Sequence, residues 1–120
     1  MIKLKRIYDS PDKNDGERYL VDRMWPRGVS KDRADLADWL QDLAPSDDLR
    51  RWFGHDPERW GQFKRRYRLE LHAEAKEELI GKLARKARNE TITLTYAARD
   101  TEHNNAVALK EVIEDQLGAR

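Results

Sequence analysis

The sequence predicts an α/β layer structure, and three observations carry that expectation. Residues 2–8, 18–25 and 91–96 read as strands, the first and last by alternation of apolar with polar residues. Apolar stripes at helical spacing lie between and after them. The length of 120 residues suits one domain with one core, spanning 1–120.

In the first strand, Ile2 and Leu4 alternate with Lys3 and Lys5. Asp9 to Gly16 is made almost wholly of turn-forming residues and reads as a loop. The second strand, Arg18 to Trp25, centres on Tyr19, Leu20 and Val21 and ends at Pro26, which cannot donate to a ladder. Leu36, Trp39, Leu40 and Leu43 fall at i, i+3, i+4 and i+7 and predict an amphipathic helix stopped by Pro45. Ser46 reads as the N-cap of the next helix, with Asp47 and Asp48 in its positive first turn and Gly54 as its stop.

Asp56 and Pro57 open a further helix, striped by Trp60, Phe63, Tyr67 and Leu71. Another follows over 73–88 on Ala75, Leu79, Ile80, Leu83 and Ala87, and the spacing leaves open whether the two are continuous. Thr91 to Tyr96 is the clearest strand. Thr101 is expected to cap a last helix whose apolar face is Ala106, Leu109, Val112, Ile113 and Leu117, ended by Gly118. The connection over 9–17 is short, so on spacing alone a hairpin rivals a parallel crossover.

Charged residues make up 39% of the chain, against roughly 25% in an ordinary domain, yet the net charge is only +1. Near-neutrality and ten aromatic residues argue against disorder. No apolar run approaches the roughly 20 residues of a membrane span. Met1 to Arg6 alternates charge with apolar residues, unlike a signal peptide, so a cytoplasmic protein is expected. Cysteine is absent, which excludes disulfides, thiolate catalysis and zinc–cysteine or iron–sulfur sites. The charge is also unevenly spread: residues 1–31 carry +3, 32–48 carry −5, 49–68 carry +5, and 91–120 carry −2.

The densest polar constellation is Asp22-Arg23-Met24-Trp25-Pro26-Arg27-Gly28, after the second strand; Tyr96-Ala97-Ala98-Arg99-Asp100 follows the third. If those strands are parallel, both loops open on the carboxyl edge of the sheet, where ligands bind in α/β folds. Arg23, Arg27 and Arg99 then converge on an anionic or phosphorylated molecule, because guanidinium forks match its oxygens. Asp22 and Asp100 orient those arginines, or act as general base or metal ligands, with Trp25 stacking on a planar ligand. The competing reading is an Arg–Asp network that closes the end of the sheet, with Trp25 in the core.

A second feature is the basic stretch Arg50, Arg51, Arg59, Lys64, Arg65, Arg66 and Arg68, interleaved with Trp52, Phe53, Trp60, Phe63 and Tyr67. This pattern marks nucleic-acid or protein-partner surfaces, but the aromatics also sit at core spacing and the acidic block 32–48 can neutralise the cations. His55, His72 and His103 show no metal-motif spacing, so no metal site is expected. No Walker loop, nucleophile elbow or dinucleotide fingerprint is present, and no cofactor is assigned.

These residues carry a resemblance. The runs Lys5-Arg6-Ile7-Tyr8-Asp9 and Leu20-Val21-Asp22-Arg23-Met24-Trp25-Pro26-Arg27-Gly28 with Lys31 resemble the YeaO-like branch of the domain of unknown function 488 family. Leu43-Ala44-Pro45-Ser46, Leu49-Arg50, Trp52-Phe53, Phe63, Tyr67, Glu70-Leu71 and Leu94-Thr95-Tyr96 through Asn104 extend the likeness over nearly the whole chain. The family supplies a class and no established activity. Its longer relatives look like βα units, which implies parallel pairing of the first two strands with 9–17 as a shortened crossover. Those relatives commonly carry a Cys–His pair in the segment matching Arg99 to Ala106; this chain has Asn104-Asn105, so thiol and metal chemistry do not carry over.

The expectation is therefore an α/β fold with a small, mainly parallel sheet of three or four strands flanked by helices in Rossmann-like layering. A pocket at its carboxyl edge holds a small anion on Arg23, Arg27, Arg99 and Asn104, with Trp25 and Tyr96 as walls and Asp22 and Asp100 as acid–base or orienting groups. The alternative is a regulatory or interaction protein acting through 49–68.

Overall fold

Ile92–Tyr96 is a strand buried along its whole length, and the other strands are ordered around it. The computed structural model describes residues 1–118; residues 119 and 120 of the expected domain lie outside the described residues. Four strands, β1 (Ile2–Arg6), β2 (Glu17–Leu20), β3 (Asp38–Trp39) and β4 (Ile92–Tyr96), form one sheet in the order β1-β4-β2-β3. All three pairings are parallel, with Leu4 and Tyr19 both opposite Leu94. The hairpin is thereby excluded: β4 separates β1 from β2. The crossover holds one 3-10 turn, Lys13–Asp15, capped by Asp12. So short a link suffices because each strand spans only about 15 Å, well within the reach of ten extended residues.

Among the described residues five α-helices accompany the sheet: α1 (Lys31–Ala34), α2 (Asp47–Phe53), α3 (Trp60–Glu70), α4 (Glu74–Asn89) and α5 (Asn105–Gly118). Alternation along the strands sorts side chains to two unlike faces. Ile2, Tyr19, Ile92 and Leu94 join Phe63, Tyr67, Leu83, Leu109 and Ile113 from the helices in the main core. The opposite face carries a small apolar cluster of Ile7, Val29 and Ala34 beside a buried polar one. There Asp15 accepts from Arg18 Nη1 at 2.8 Å and from Lys5 Nζ at 3.2 Å, and the Thr93 hydroxyl donates to the Asp15 carbonyl at 2.7 Å.

The cap signals hold where they are local. Ser46 Oγ accepts from Leu49 N, and Gly54 ends α2 in the left-handed region at φ 53°. The two helices after Pro57 are separate, broken at 71–73.

Four expectations need correction. The first strand stops at Arg6 instead of Tyr8, and Ile7 N makes its last bond, to Tyr96 O at 2.7 Å. The helix expected on Leu36, Trp39, Leu40 and Leu43 is replaced by β3 and a 3-10 turn over Gln41–Leu43. Ala37 N and Leu40 N donate to Arg18 O and Leu20 O at 2.7 and 2.8 Å, so the open edge of β2 captures this segment. The second strand ends at Leu20, not Trp25, because its partner β4 ends one bond later, at Val21 N to Thr95 O. Thr101 does not cap the last helix; Asn104 Oδ1 accepts from Val107 N at 3.0 Å.

Candidate functional site

Three strand ends open on one cleft of about 710 Å³. Tyr8 comes from the end of β1, Asp22 to Arg27 from the loop after β2, and Ala97 to Asp100 from that after β4, while Pro45, Arg50, Phe53, His55, Phe63, Asn104 and Asn105 complete the lining. Parallel pairing brings the three carboxyl ends to the same edge of the sheet.

Asp22 ties this edge together. Its Oδ2 accepts from Ala97 N at 2.9 Å and its Oδ1 from Asn105 Nδ2 at 3.1 Å. Asn105 Nδ2 also donates to Val21 O at 2.9 Å, and the Trp39 indole donates to Asp22 O at 2.7 Å. One side chain thus joins β2, the exit of β4 and the first turn of α5. Burial pushes the Asp22 carboxyl above its usual range; the hydrogen bonds from Ala97 and Asn105 and the nearby His55 pull it back without cancelling the effect.

Asp100 organises its own loop. Its Oδ1 accepts from Glu102 N at 2.9 Å and His103 N at 3.0 Å, and Oδ2 lies 3.0 Å from His103 Nδ1. The Glu102 N–H and the His103 ring hold this carboxyl below its usual range. Among the described residues, neither Asp22 nor Asp100 pairs with Arg23, Arg27 or Arg99. Backbone N–H groups claim both carboxylates, so the expected orientation of the arginines by these acids is not what the chain builds.

The arginines differ from one another. Arg23 Nε donates to Pro45 O at 3.2 Å and lies 3.6 Å from Asp47 Oδ1, which also faces Arg50 at 3.5 Å. Arg27 and Arg99 are exposed and form no ion pair among the described residues. Trp25 lines the cleft half-buried, with its indole donating to Val29 O at 2.7 Å and its ring edge-on to Trp39 at 5.4 Å.

Asn104 is buried, and both ends of its amide are engaged, by Asp100 O at 2.9 Å and by Val107 N. Tyr96 is not a wall. It is only 3% exposed, belongs to the main core, and has its phenol pushed up by burial. Asn105, Arg50, His55, Phe53 and Phe63 are cleft residues that the sequence did not single out for this site. The Asn104-Asn105 pair was a visible signal for the first; His55, in a left-handed turn at φ 59°, offered none.

The basic stretch is a helix surface laid over core aromatics. Phe53, Phe63 and Tyr67 are buried, with Phe53 and Phe63 stacked at 4.3 Å. Trp52 is covered by the guanidinium groups of Arg66 and Arg59, at 4.4 and 5.2 Å. Lys64 faces Glu111 at 3.5 Å and Arg68 faces Asp115 at 2.8 Å. Among the described residues no group of three or more His, Asp or Glu gathers as a metal site, and no helix is long and apolar enough to cross a membrane.

Other proteins resemble this chain in sequence along nearly its whole length. The uncharacterized protein YeaO of Escherichia coli is 39% identical over 111 residues, covering 92% of this chain and 94% of that one. The uncharacterized protein Rv3073c of Mycobacterium tuberculosis is 36% identical over 112 residues, covering 93% and 92%. No solved structure matches. A family model described as the inactive DUF488-N3 subclade matches residues 1–120, and the chain belongs to that family.

Proposed function

We propose that the cleft binds a small anionic or phosphorylated molecule, held chiefly by Arg27 and Arg99, with Arg23 and Arg50 beside them and Trp25 as a wall. One observation carries this reading. Two exposed guanidinium groups line a cleft and lack a carboxylate partner among the described residues, while the acids of the same cleft are tied to backbone N–H groups and Asn105. An ion-pair network that merely closed the sheet would join those arginines to those acids. Planar guanidinium groups suit phosphate and carboxylate oxygens, and aromatic lining suits an apolar body.

Binding without turnover is the form the reading takes. The matching family model is described as inactive. In this reading Asp22 and Asp100 are braces, and the acid–base role expected of them falls away. Asp100 fits poorly as a base, because its oxygens are engaged and its carboxyl is held below its usual range. A thermal-shift titration with inorganic phosphate and phenyl phosphate tests the proposal. Saturation at about 100 times the dissociation constant should stabilise the fold by about 2.7 kcal/mol. No stabilisation by either compound at tens of millimolar would refute it.

A further inference from the structure

Asp22 holds a feature that bracing does not require. An ionised carboxylate offers about four acceptor positions. Asp22 receives two donors, from Ala97 and Asn105, and no cation lies within ion-pair distance among the described residues. Its neighbour Arg23 turns instead to Pro45 O and Asp47. Asp22 is partly exposed to the cleft, so its remaining acceptor positions face the space a ligand would fill, and a neutral amide oxygen could accept the Ala97 N–H as well. The same carboxylate lines the cleft, as do Arg27 and Arg99, which form no ion pair among the described residues. The cleft therefore holds the Asp22 carboxylate and the Arg27 and Arg99 guanidinium groups with no ion pair between them among the described residues.

We infer that Asp22 reads a hydrogen-bond donor on the ligand, best an ammonium group, so that the cleft selects a bifunctional molecule with an anion at Arg27 and Arg99 and an amine at Asp22. This rests on the anion-site reading above and adds the second functional group. Such a ligand fills both deficits at once. Trp25, Phe53 and Phe63 line the same cleft and suit a flat apolar body carrying the two polar ends.

The test compares phenyl phosphate with its 2-, 3- and 4-aminomethyl derivatives by titration calorimetry at neutral pH. At least one isomer should bind about tenfold more tightly than phenyl phosphate, as a charge-assisted hydrogen bond to a cleft carboxylate implies. That gain should vanish in Asp22→Asn, in which no isomer should bind more tightly than phenyl phosphate itself. The amide resonance of Ala97, whose N–H is bonded to Asp22, should shift in the wild-type protein with the favoured isomer and not with phenyl phosphate. This last readout stands even if Asp22→Asn does not fold. Phenyl phosphate binding with no isomer preferred, or a preference that survives Asp22→Asn, overturns the inference alone. No binding by any of the compounds overturns the anion-site reading, and the inference with it.

Discussion

Asp22 Oδ2 accepts the Ala97 N–H at 2.9 Å across 75 residues of sequence, standing in for the strand carbonyl that β2 no longer supplies. Asp22→Ala strands that N–H and one donor of Asn105. The expected cost is about 1–3 kcal/mol in urea denaturation at neutral pH.

The same residue gives a pH dependence of defined sign. Burial raises its carboxyl above the unfolded value of 3.8, so the native state holds the proton to higher pH than the unfolded chain does. Its contribution is fullest below 3.8 and declines as pH rises through the folded pKa. Asp22→Asn should remove that decline. Stability measured from pH 3 to 7 in wild type and variant checks this; parallel curves would contradict it.

Asp15 predicts the opposite slope. Burial pushes its carboxyl up, but hydrogen bonds from Asp12 N, Arg18 and Lys5 outweigh burial and hold it below 3.8. Its contribution is present above 3.8 and is lost as pH falls through the folded pKa. Arg18 is 2% exposed and its Nη2 already lacks a partner. Asp15→Asn should therefore cost about 3 kcal/mol at neutral pH, by leaving a buried guanidinium without its carboxylate. The penalty should shrink in acid.

Arg27→Ala and Arg99→Ala separate binding from folding. Both side chains are exposed and unpaired among the described residues, so stability should change by no more than about 0.5 kcal/mol. Each should weaken phenyl phosphate binding about tenfold, whereas Arg88→Ala, on the exposed face of α4, should leave it unchanged. Equal binding by all three variants would remove the arginines from the site.

Two glycines predict contrasting costs. A Cβ on Gly16, at φ 64°, would lie 1.9 Å from Thr91 O, so Gly16→Ala forces the backbone apart and should cost about 3 kcal/mol. Gly28, at φ 78°, has no atom within 4 Å of such a Cβ. Gly28→Ala should cost only the left-handed strain, about 1–2 kcal/mol. Thermal melts of the two variants compare them directly.

Much of the candidate site was legible because it lies in short runs beside strand ends. Asp22, Arg23, Trp25, Arg27, Arg99, Asp100 and Asn104 were all expected there and all line the cleft. Tyr96 was also expected and is core, since a strand residue's direction depends on which face its neighbours cover. Arg50, Phe53, His55 and Phe63 come from α2, the turn after it and α3, and no local spacing ties them to the loop after β2.

By itself the sequence determined what local interactions determine. Periodicity and caps act within about four residues, and they place α2 behind Ser46, the apolar stripe of α3 and the buried strand at Ile92–Tyr96. Only the tertiary structure decided that β4 sits between β1 and β2, that 38–39 becomes an edge strand, and which donors occupy Asp22 and Asp100. Those outcomes depend on backbone and side-chain groups far apart in sequence finding one another. A helical spacing at 36–43 could not compete with the unpaired carbonyls of Arg18 and Leu20 waiting at the sheet edge.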